Sequence, residues 1–594
     1  MGSIAPNTEP TAQSEMMYPA PLEANRDAGL SSTTNGDSAI DIETPILVVG
    51  GGPVGMLQSL MLARLHNIKS VLIEREPSTT TFPKMEYTNG RSMEIYRMMG
   101  LAKDFRAMAN QYVPDSASFT ELNVTSLVDS ANGGPKAKMI HPWIRPSVED
   151  MRAESRKVND GSKYLEPHTR CHQIPVEAWL KRKIEELPDL IEGHWGYKFV
   201  GLEERDDDVV AEVITDGGRT VRIKAQYVIG TDGGGSFVRK SVGLESKRNY
   251  LDMTVAFVHI QSKALREAMN KFPPFWHINV LGGGLAVSQN EDDLFTLHLV
   301  LPPGGDATHM TPNELVDATI GGCNGPQPMA IDKGRVFLAG DSAHQLSPIG
   351  GHGLNSGLAD AFDLAWKLGA VMKGWAGEGL LTTYDTDRRA IAHKNMDTVH
   401  FALANWAGKV WLEPIGKYGL ELLAADTPEG EDARRGAAEG MAPAGWIHNQ
   451  NGNMLGYQYL DKGTVIVEQE EGERPISDLD IYLPTTYPGS RLPHVWTKEG
   501  TSTLDLLKGD SFTLIDCSAE AAAGKVFEEA AKEVGVPLQI VRLHGEDNVR
   551  KIYEREVILV RPDMHVSWRA GEGVDAGDVT AENARNILKK VACL

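Results

Sequence analysis

Apolar and polar positions alternate along this chain in two rhythms, and the change from one to the other marks its elements. Ordered structure is expected to begin at Ile46, where the short apolar run Ile46-Leu47-Val48-Val49 enters a glycine cluster. From Pro53 to Asn67 the residues Met56, Leu60, Ala63 and Leu65 recur at helical spacing, and Ser70-Val71-Leu72-Ile73-Glu74 then reads as a second strand. Strand, glycine turn, helix and strand within about 30 residues form a βαβ unit with a right-handed crossover, the start of a dinucleotide-binding fold. The stretch 123–168 turns polar and irregular and is expected to be a surface insert. A helix follows from Gln173 to Leu187, then alternating runs at Val209 to Thr215 and Thr220 to Ile229. Residues 251–301 alternate with period two, which predicts a mostly antiparallel β layer within 246–330. Val336-Phe337-Leu338-Ala339 reads as a buried strand, followed by a glycine-rich loop and a helix from about Leu354 to Gly374. A Gly-, Glu- and Pro-rich passage at 414–470 is expected to be a linker. The remainder, 471–594, reads as strand 512–515, helix 518–533, strands 538–543, 557–560 and 565–568, and helix 581–591, a small α/β domain.

Composition narrows the class. The 594 residues are 41% hydrophobic, enough for several cores. Lys and Arg number 59 against 81 Asp and Glu, a net charge of −22 that opposes binding to nucleic acid or to an anionic membrane surface. Cys171, Cys323, Cys517 and Cys593 are scattered, with no C-x-x-C pair and no disulfide framework. Residues 1–44 hold one basic residue, Arg26, and no long apolar run, so a disordered tail without targeting character is expected. The greasy stretch Pro45 to Leu65 is broken by Gly50-Gly51-Gly52-Pro53 and carries Arg64, a poor bilayer span. A cytoplasmic protein is expected.

Chemistry concentrates in two glycine-bearing motifs. Gly50, Gly52 and Gly55 form G-x-G-x-x-G, with Pro53 and Val54 inside it, directly after a strand and before a helix whose N-terminus would face a pyrophosphate. Glu74 closes the second strand, where an acid accepts hydrogen bonds from a ribose. Further on, Val336 to His344 is a buried strand ending in Gly340-Asp341, a carboxylate that can accept from a polyol or simply cap the next turn. The continuation Pro348-Ile349-Gly350-Gly351-His352-Gly353-Leu354-Asn355 opens into a long helix whose amides can face developing negative charge.

These motifs, with Gly230-Thr231-Asp232-Gly233 and Ser236, Val238 and Arg239, occur in an order that resembles the class A flavoprotein aromatic hydroxylases, the group of p-hydroxybenzoate hydroxylase and phenol hydroxylase. The passages Leu165 to Gln173 and Tyr487 to His494 look closest to the dichlorophenol hydroxylase branch, and Leu559 to Arg569 looks like its C-terminal domain. The resemblance implies an α/β protein: a Rossmann-like FAD-binding domain assembled from 45–245 and 331–413, a β-rich substrate domain and a C-terminal thioredoxin-like domain. It implies that Glu74 holds the adenosine ribose and Asp341 the ribitol, that Arg91 and Gln173 contact FAD, and that Asp232 belongs to a motif serving FAD and NADPH. Pro348, Gly351, Gly353, Leu354 and Asn355 match the segment along the isoalloxazine ring. The implied activity is NADPH-consuming hydroxylation of a phenolic or polyketide-like aromatic by dioxygen through a flavin C4a-hydroperoxide. Its partners are then a small aromatic substrate and dioxygen, with no nucleic acid and no membrane, and the C-terminal domain is expected to pack or to form a homodimer.

Two readings compete with this one. Baeyer–Villiger-type oxygenation is open on the same fold. The segment 320–330 is also shorter than the family pattern, which allows a flavin-binding protein with impaired turnover. His352 is read either as a switchable charge beside the flavin or as a solvent-facing loop residue. His344 is expected to be structural, and Cys517, with no second cysteine nearby, is not expected to perform thiol chemistry.

Overall fold

The computed structural model describes residues 39–594 apart from 84, 130–135, 246, 249–253, 282–283, 302–325, 328–331, 347–348, 461–462, 469, 471–472, 521 and 572–575. The expected tail to residue 38, Cys323, Pro348 and the 320–330 segment apart from Pro326 and Gln327 therefore lie outside the described residues.

The βαβ unit forms as the hydrophobic rhythm predicts. It comprises β1 (Ile42–Val49), α1 (Pro53–His66) and β2 (Ser70–Glu74). β1 begins four residues before Ile46 because Ile42, Glu43 and Thr44 pair with Ile223, Lys224 and Ala225. The parallel core of the sheet runs in the order Val336–Leu338, Thr220–Gly230, β1, β2, Ile191–Trp195. Strands Tyr197–Glu204 and Val209–Thr215 fold back antiparallel on the first half of Thr220–Gly230. Ile46, Leu47, Val48 and Leu72 are completely buried, as strands covered on both faces require. α1 lies against the helix His352–Met372, a contact that joins the two halves of this domain across nearly 300 residues of intervening chain.

The second sheet corrects the expected insert. Its order is Thr254–Gln261, Leu294–Leu301, Gly284–Ser288, His277–Val280, Glu121–Val124, Met139–Trp143. The last two strands come from the stretch expected to be irregular, which also holds the helix Val148–Lys157 closed by a capping box at Ser147 and Asp150. Short strands in polar sequence escaped the rhythm because their partners lie far along the chain: Glu121 pairs with His277, and Asn123 with Asn279, in parallel register.

The expected linker is also corrected. Residues 413–455 contain helices Glu413–Tyr418, Leu420–Leu423, Pro428–Met441 and Asn451–Leu455. Leu423, Ala433, Ala437 and Met441 bury themselves with Ala402, Trp406 and Val410 against Trp143 and Leu281 of the second sheet. Small residues at helical spacing supply this packing, and their low hydrophobicity hid it.

The C-terminal sheet has the order Leu538–Arg542, Phe512–Asp516, Val557–Val560, Val566–Arg569, the first pair parallel and the others antiparallel. Helices Ala522–Val534 and Ala581–Val591 share a core with it, giving the thioredoxin-like arrangement. An unforeseen helix, Asp547–Tyr553, links its second and third strands in sequence. Among the described residues no helix is long and apolar enough to cross a membrane.

Candidate active site

The C-terminal ends of three parallel strands, β1, Thr220–Gly230 and Val336–Leu338, converge and are stitched together by backbone and small side chains. Thr231 donates its amide to the Val49 carbonyl (2.8 Å) and its hydroxyl to the Val49 and Gly50 carbonyls (2.9 and 3.0 Å). Ser342 donates its hydroxyl to the Gly230 carbonyl at 2.6 Å. Gly50 has φ +113°, and a Cβ there would lie 2.5 Å from the Thr231 carbonyl oxygen, so only glycine fits. A Cβ on Gly55 would overlap the Gly50 carbonyl oxygen. Gly52, the N-cap of α1 with Pro53 following it, has open space where its Cβ would be. Val54 fills the gap to the second motif, touching the positions a Cβ would take on Gly340 and Gly357.

Glu74 sits where an acid at the end of β2 should be. Its carboxylate accepts from the Gly51 amide at 2.6 Å and from the Glu76 amide at 2.9 Å. Asp341 is exposed in the short turn after Val336–Leu338. The Gly340 amide donates to Asp360 at 3.0 Å, and Asp360 also receives His344 (2.6 Å) and Arg388 (2.8 Å). Burial opposes charge on His344, but the Asp360 carboxylate outweighs it and raises the imidazole above its ordinary value. His344 is thus a buried partner under the turn, in the structural role expected of it.

Asp232, which the resemblance places in a motif serving FAD and NADPH and which can equally stabilise a turn, caps the helix Phe237–Ser241. It accepts from Ser236 (2.5 Å) and from the amides of Phe237 and Val238 (2.6 and 3.2 Å). Arg239 donates to the Ser342 and Gly234 carbonyls (2.7 and 2.9 Å) and ties this turn to the Gly-Asp turn. Gln173 donates to Glu177 at 2.5 Å, and Glu177 receives the Thr80 amide at 2.7 Å, which supports the loop after β2. Arg91 is buried, with its two terminal nitrogens donating into the C-terminal domain, to the Met564 sulfur (2.9 Å) and the Asp563 carbonyl (2.8 Å).

At the start of helix His352–Met372, Gly351 has φ +67° and lies against Tyr87, while Gly353 is open on its Cβ side and Leu354 is half-buried. Asn355 accepts from the Asn89 amide (3.0 Å) and Ser92 hydroxyl (2.7 Å), and donates to the Gly351 carbonyl (2.6 Å), locking this loop to the helix Gly90–Met98. The structure removes the solvent-facing reading of His352. It is buried, its Nε2 faces the Gln450 side-chain oxygen at 2.5 Å, and burial pushes its pKa down to about 4. Cys517 is buried and its thiol is pushed up to about 12, as expected of a residue without thiol chemistry.

Opposite this loop lies an aromatic wall. Tyr87 stacks on Trp276 with ring centres 5.5 Å apart, and Phe119 and His168 complete the group. Beside Trp276 the second sheet turns a buried polar face inward: Glu121, Asn123, His277, Asn279 and Thr296 are all buried, while the opposite face carries Leu122, Ile278, Ala286, Phe295 and Leu297. Buried polar residues in such a row, with charged partners, make this face a candidate functional surface. His277 Nε2 meets Glu86 at 2.9 Å and its Nδ1 lies 3.7 Å from Glu121. Burial opposes the charge on His277, but the two carboxylates outweigh it and raise its pKa to about 9. Asn279 Oδ1 is buried without a hydrogen-bond partner. Sequence reasoning missed this face; its signal was the matched strands Glu121-Leu122-Asn123-Val124 and His277-Ile278-Asn279-Val280, polar and apolar in step.

The set suits a flavin dinucleotide: open glycines at Gly52 and Gly353, an acceptor at Glu74, an exposed carboxylate at Asp341, and an Arg91 Nε that is buried with no partner. Among the described residues no group of three His, Cys, Asp or Glu could hold a metal ion. A crevice of about 280 Å³ lies elsewhere, between helix Gly90–Met98 and the C-terminal domain, lined by Arg64, Glu94, Arg97, Asp505, Lys508 and Met564.

Comparison with known proteins agrees with this geometry. Residues 43–318 and 306–399 match the FAD binding domain family, and residues 485–591 match the C-terminal domain of aromatic-ring hydroxylases. The chain is 34% identical to the FAD-dependent monooxygenase apdD of Emericella nidulans, over 88% of this chain and 87% of that one. It is 27% identical to the 2,4-dichlorophenol 6-monooxygenase of Delftia acidovorans, over 93% and 99%. The structure of the rebeccamycin biosynthetic enzyme RebC with reduced flavin superposes with TM-score 0.76 at 28% identity, covering 93% of this chain and 99% of that one.

Proposed function

Because this chain belongs to the FAD-dependent aromatic-ring monooxygenases, we propose that it hydroxylates a phenolic or polyketide-like aromatic with NADPH and dioxygen as co-substrates. The observation that carries this reading is the approach of the Gly351 loop to Tyr87, which stacks on Trp276 beside the polar face of Glu121, His277 and Asn279. A planar ring held by that wall is within reach of whatever the glycine loop holds.

Bound FAD supplies the electron transfer and the activation of dioxygen. The chain's residues bind and orient. Glu74 would accept from the adenosine ribose and Asp341 from the ribitol. The first amides of helix His352–Met372 would hold the ring system, and their dipole would favour the negative charge of its reduced form. Neutral His352 holds Gln450 and keeps the loop closed without adding charge. On the substrate side, Glu86 and Glu121 keep His277 protonated at neutral pH, and this polar row orients a ring hydroxyl. Tyr87, Phe119 and Trp276 exclude water from the aromatic part.

Anaerobic mixing of the FAD-loaded protein with NADPH and candidate phenols tests the reading. Faster flavin bleaching with a phenol, followed by hydroxylated product when oxygen is admitted, is the expected result. A flavin that no phenol accelerates, with NADPH oxidation ending only in hydrogen peroxide, would overturn it.

A further inference from the structure

Four non-glycine residues have positive φ among the described residues. Asn67 and Glu554 cap helices and Cys593 follows one, positions where the left-handed conformation is ordinary. Met564, at φ +69°, is the exception. It lies in the turn between strands Val557–Val560 and Val566–Arg569, at a position where a hairpin favours glycine. Both of its backbone groups are fixed, its amide donating to the Arg561 carbonyl (3.0 Å) and its carbonyl accepting from the Leu492 amide (2.9 Å). A bulky side chain kept where glycine would be easier indicates that the side chain itself has a task.

That side chain is buried and its sulfur faces Arg91 at 2.9 Å, while the preceding carbonyl, Asp563, accepts from the same guanidinium at 2.8 Å. The same region is joined to both helices that frame the candidate cofactor site. Helix Gly90–Met98 is held through Glu94, which receives Arg491 in two bonds of 2.8 and 2.5 Å. Helix His352–Met372 is held through Asp363 and Lys367: Arg561 donates to Asp363 at 2.6 Å and to Asp387 at 3.0 Å, and Lys367 joins both carboxylates at 2.7 and 2.8 Å. Arg561 also grips Asp563 at 3.0 and 2.7 Å, so the turn is rigid.

We infer that Met564 and the turn Arg561–His565 are a positioning element for FAD: they hold the guanidinium of Arg91 so that its unspent Nε remains available to the cofactor. The C-terminal domain then takes part in cofactor retention without touching the cofactor. This rests on the reading of Arg91 as an FAD contact, and the test separates the two.

Full-length protein is stripped of FAD and titrated with FAD by fluorescence, alongside thermal unfolding of each FAD-free variant. Met564→Gly suits the left-handed turn and removes the sulfur. It is expected to weaken FAD binding about tenfold, and no further when combined with Arg91→Lys, whatever stability the loss of a buried core side chain costs the FAD-free protein. Met564→Leu, which keeps bulk but not sulfur, is expected to fall between. If Arg91→Lys weakens FAD binding while Met564→Gly does not, the positioning role is overturned and the Arg91 contact stands. Equal weakening by Met564→Gly with and without Arg91 overturns it too, since the effect then bypasses Arg91. If neither variant weakens binding, the Arg91 reading fails and takes this inference with it. A loss of affinity in the volume-conserving Met564→Leu that merely parallels its loss of stability makes the role structural and also overturns it.

Discussion

In the parallel sheet, what faces the candidate site is mostly backbone: glycines at 50, 52 and 55, the amide of Gly51, and carbonyls stitched by Thr231 and Ser342. In the six-stranded sheet, what faces it is side chain: Glu121, Asn123, His277, Asn279 and Thr296, with Glu86 reaching in from the loop before Tyr87. One surface recognises by letting a ligand come close, the other by presenting charge and hydrogen-bonding groups from several segments. A backbone surface tolerates almost no added volume and is fixed in what it binds. A side-chain surface can be rewritten residue by residue without loss of the sheet, which suits a domain whose substrate differs among relatives sharing one cofactor.

The contrast can be broken at either end. A single methyl group on Gly55 tests the backbone side: Gly55→Ala pushes into the Gly50 carbonyl, and the expected outcome is a colourless protein destabilised by more than about 3 kcal/mol, read from FAD content and thermal unfolding. On the side-chain side, His277→Gln should spare FAD content and alter pH dependence instead. The pKa of His277 is raised from 6.5 to about 9, so its stabilisation is fully present below pH 6.5 and is lost as pH rises through about 9. That amounts to about 3 kcal/mol, and denaturant titrations from pH 6 to 10 should show this slope in the parent protein and not in His277→Gln.

His352 is the side-chain exception on the cofactor loop and shows the opposite sign. Its pKa is lowered from 6.5 to about 4, so stability present above pH 6.5 falls as acid forces a proton onto a buried ring. Between pH 6.5 and pH 5 the loss should be about 2 kcal/mol, absent in His352→Gln, whose rate of flavin reduction should keep the parent's pH profile above pH 7. The smallest effect sharpens the contrast: Glu74→Gln keeps an acceptor for the Gly51 amide, and FAD affinity should fall by only about fivefold, near 1 kcal/mol, in a fluorescence titration.

The same division explains what the sequence disclosed. The glycine loop, the acid after β2, the Gly-Asp turn and the helix after Gly351 are local, because a backbone surface must be written in consecutive residues of special conformation. The polar face was invisible because Glu86, Glu121 and His277 meet only once strands Glu121–Val124 and His277–Val280 pair and the loop before Tyr87 reaches them. Helical spacing of alanines between 428 and 441 was masked by glycines and glutamates, and the region read as a linker. Asp232 is a different case: an aspartate before a short helix caps it whether or not a ligand is near, so its capping bonds leave the cofactor reading open. His352 was judged by the glycines around it, and only Gln450, nearly a hundred residues on, shows that it is enclosed.

The bond from Arg91 to Met564 spans 473 positions of sequence. During synthesis the glycine loop and helix Gly90–Met98 leave the ribosome early, and the turn that holds Arg91 follows after an interval on the order of tens of seconds. Until then Arg91 lacks both C-terminal anchors and Glu94 lacks Arg491, so the nascent site has its glycine cradle but not its fixed cation. On the reading of Arg91 as a cofactor contact, firm uptake of the flavin waits until the hairpin that carries Met564 has joined helix Gly90–Met98, and a chain released before that hairpin has a weakened hold on the cofactor.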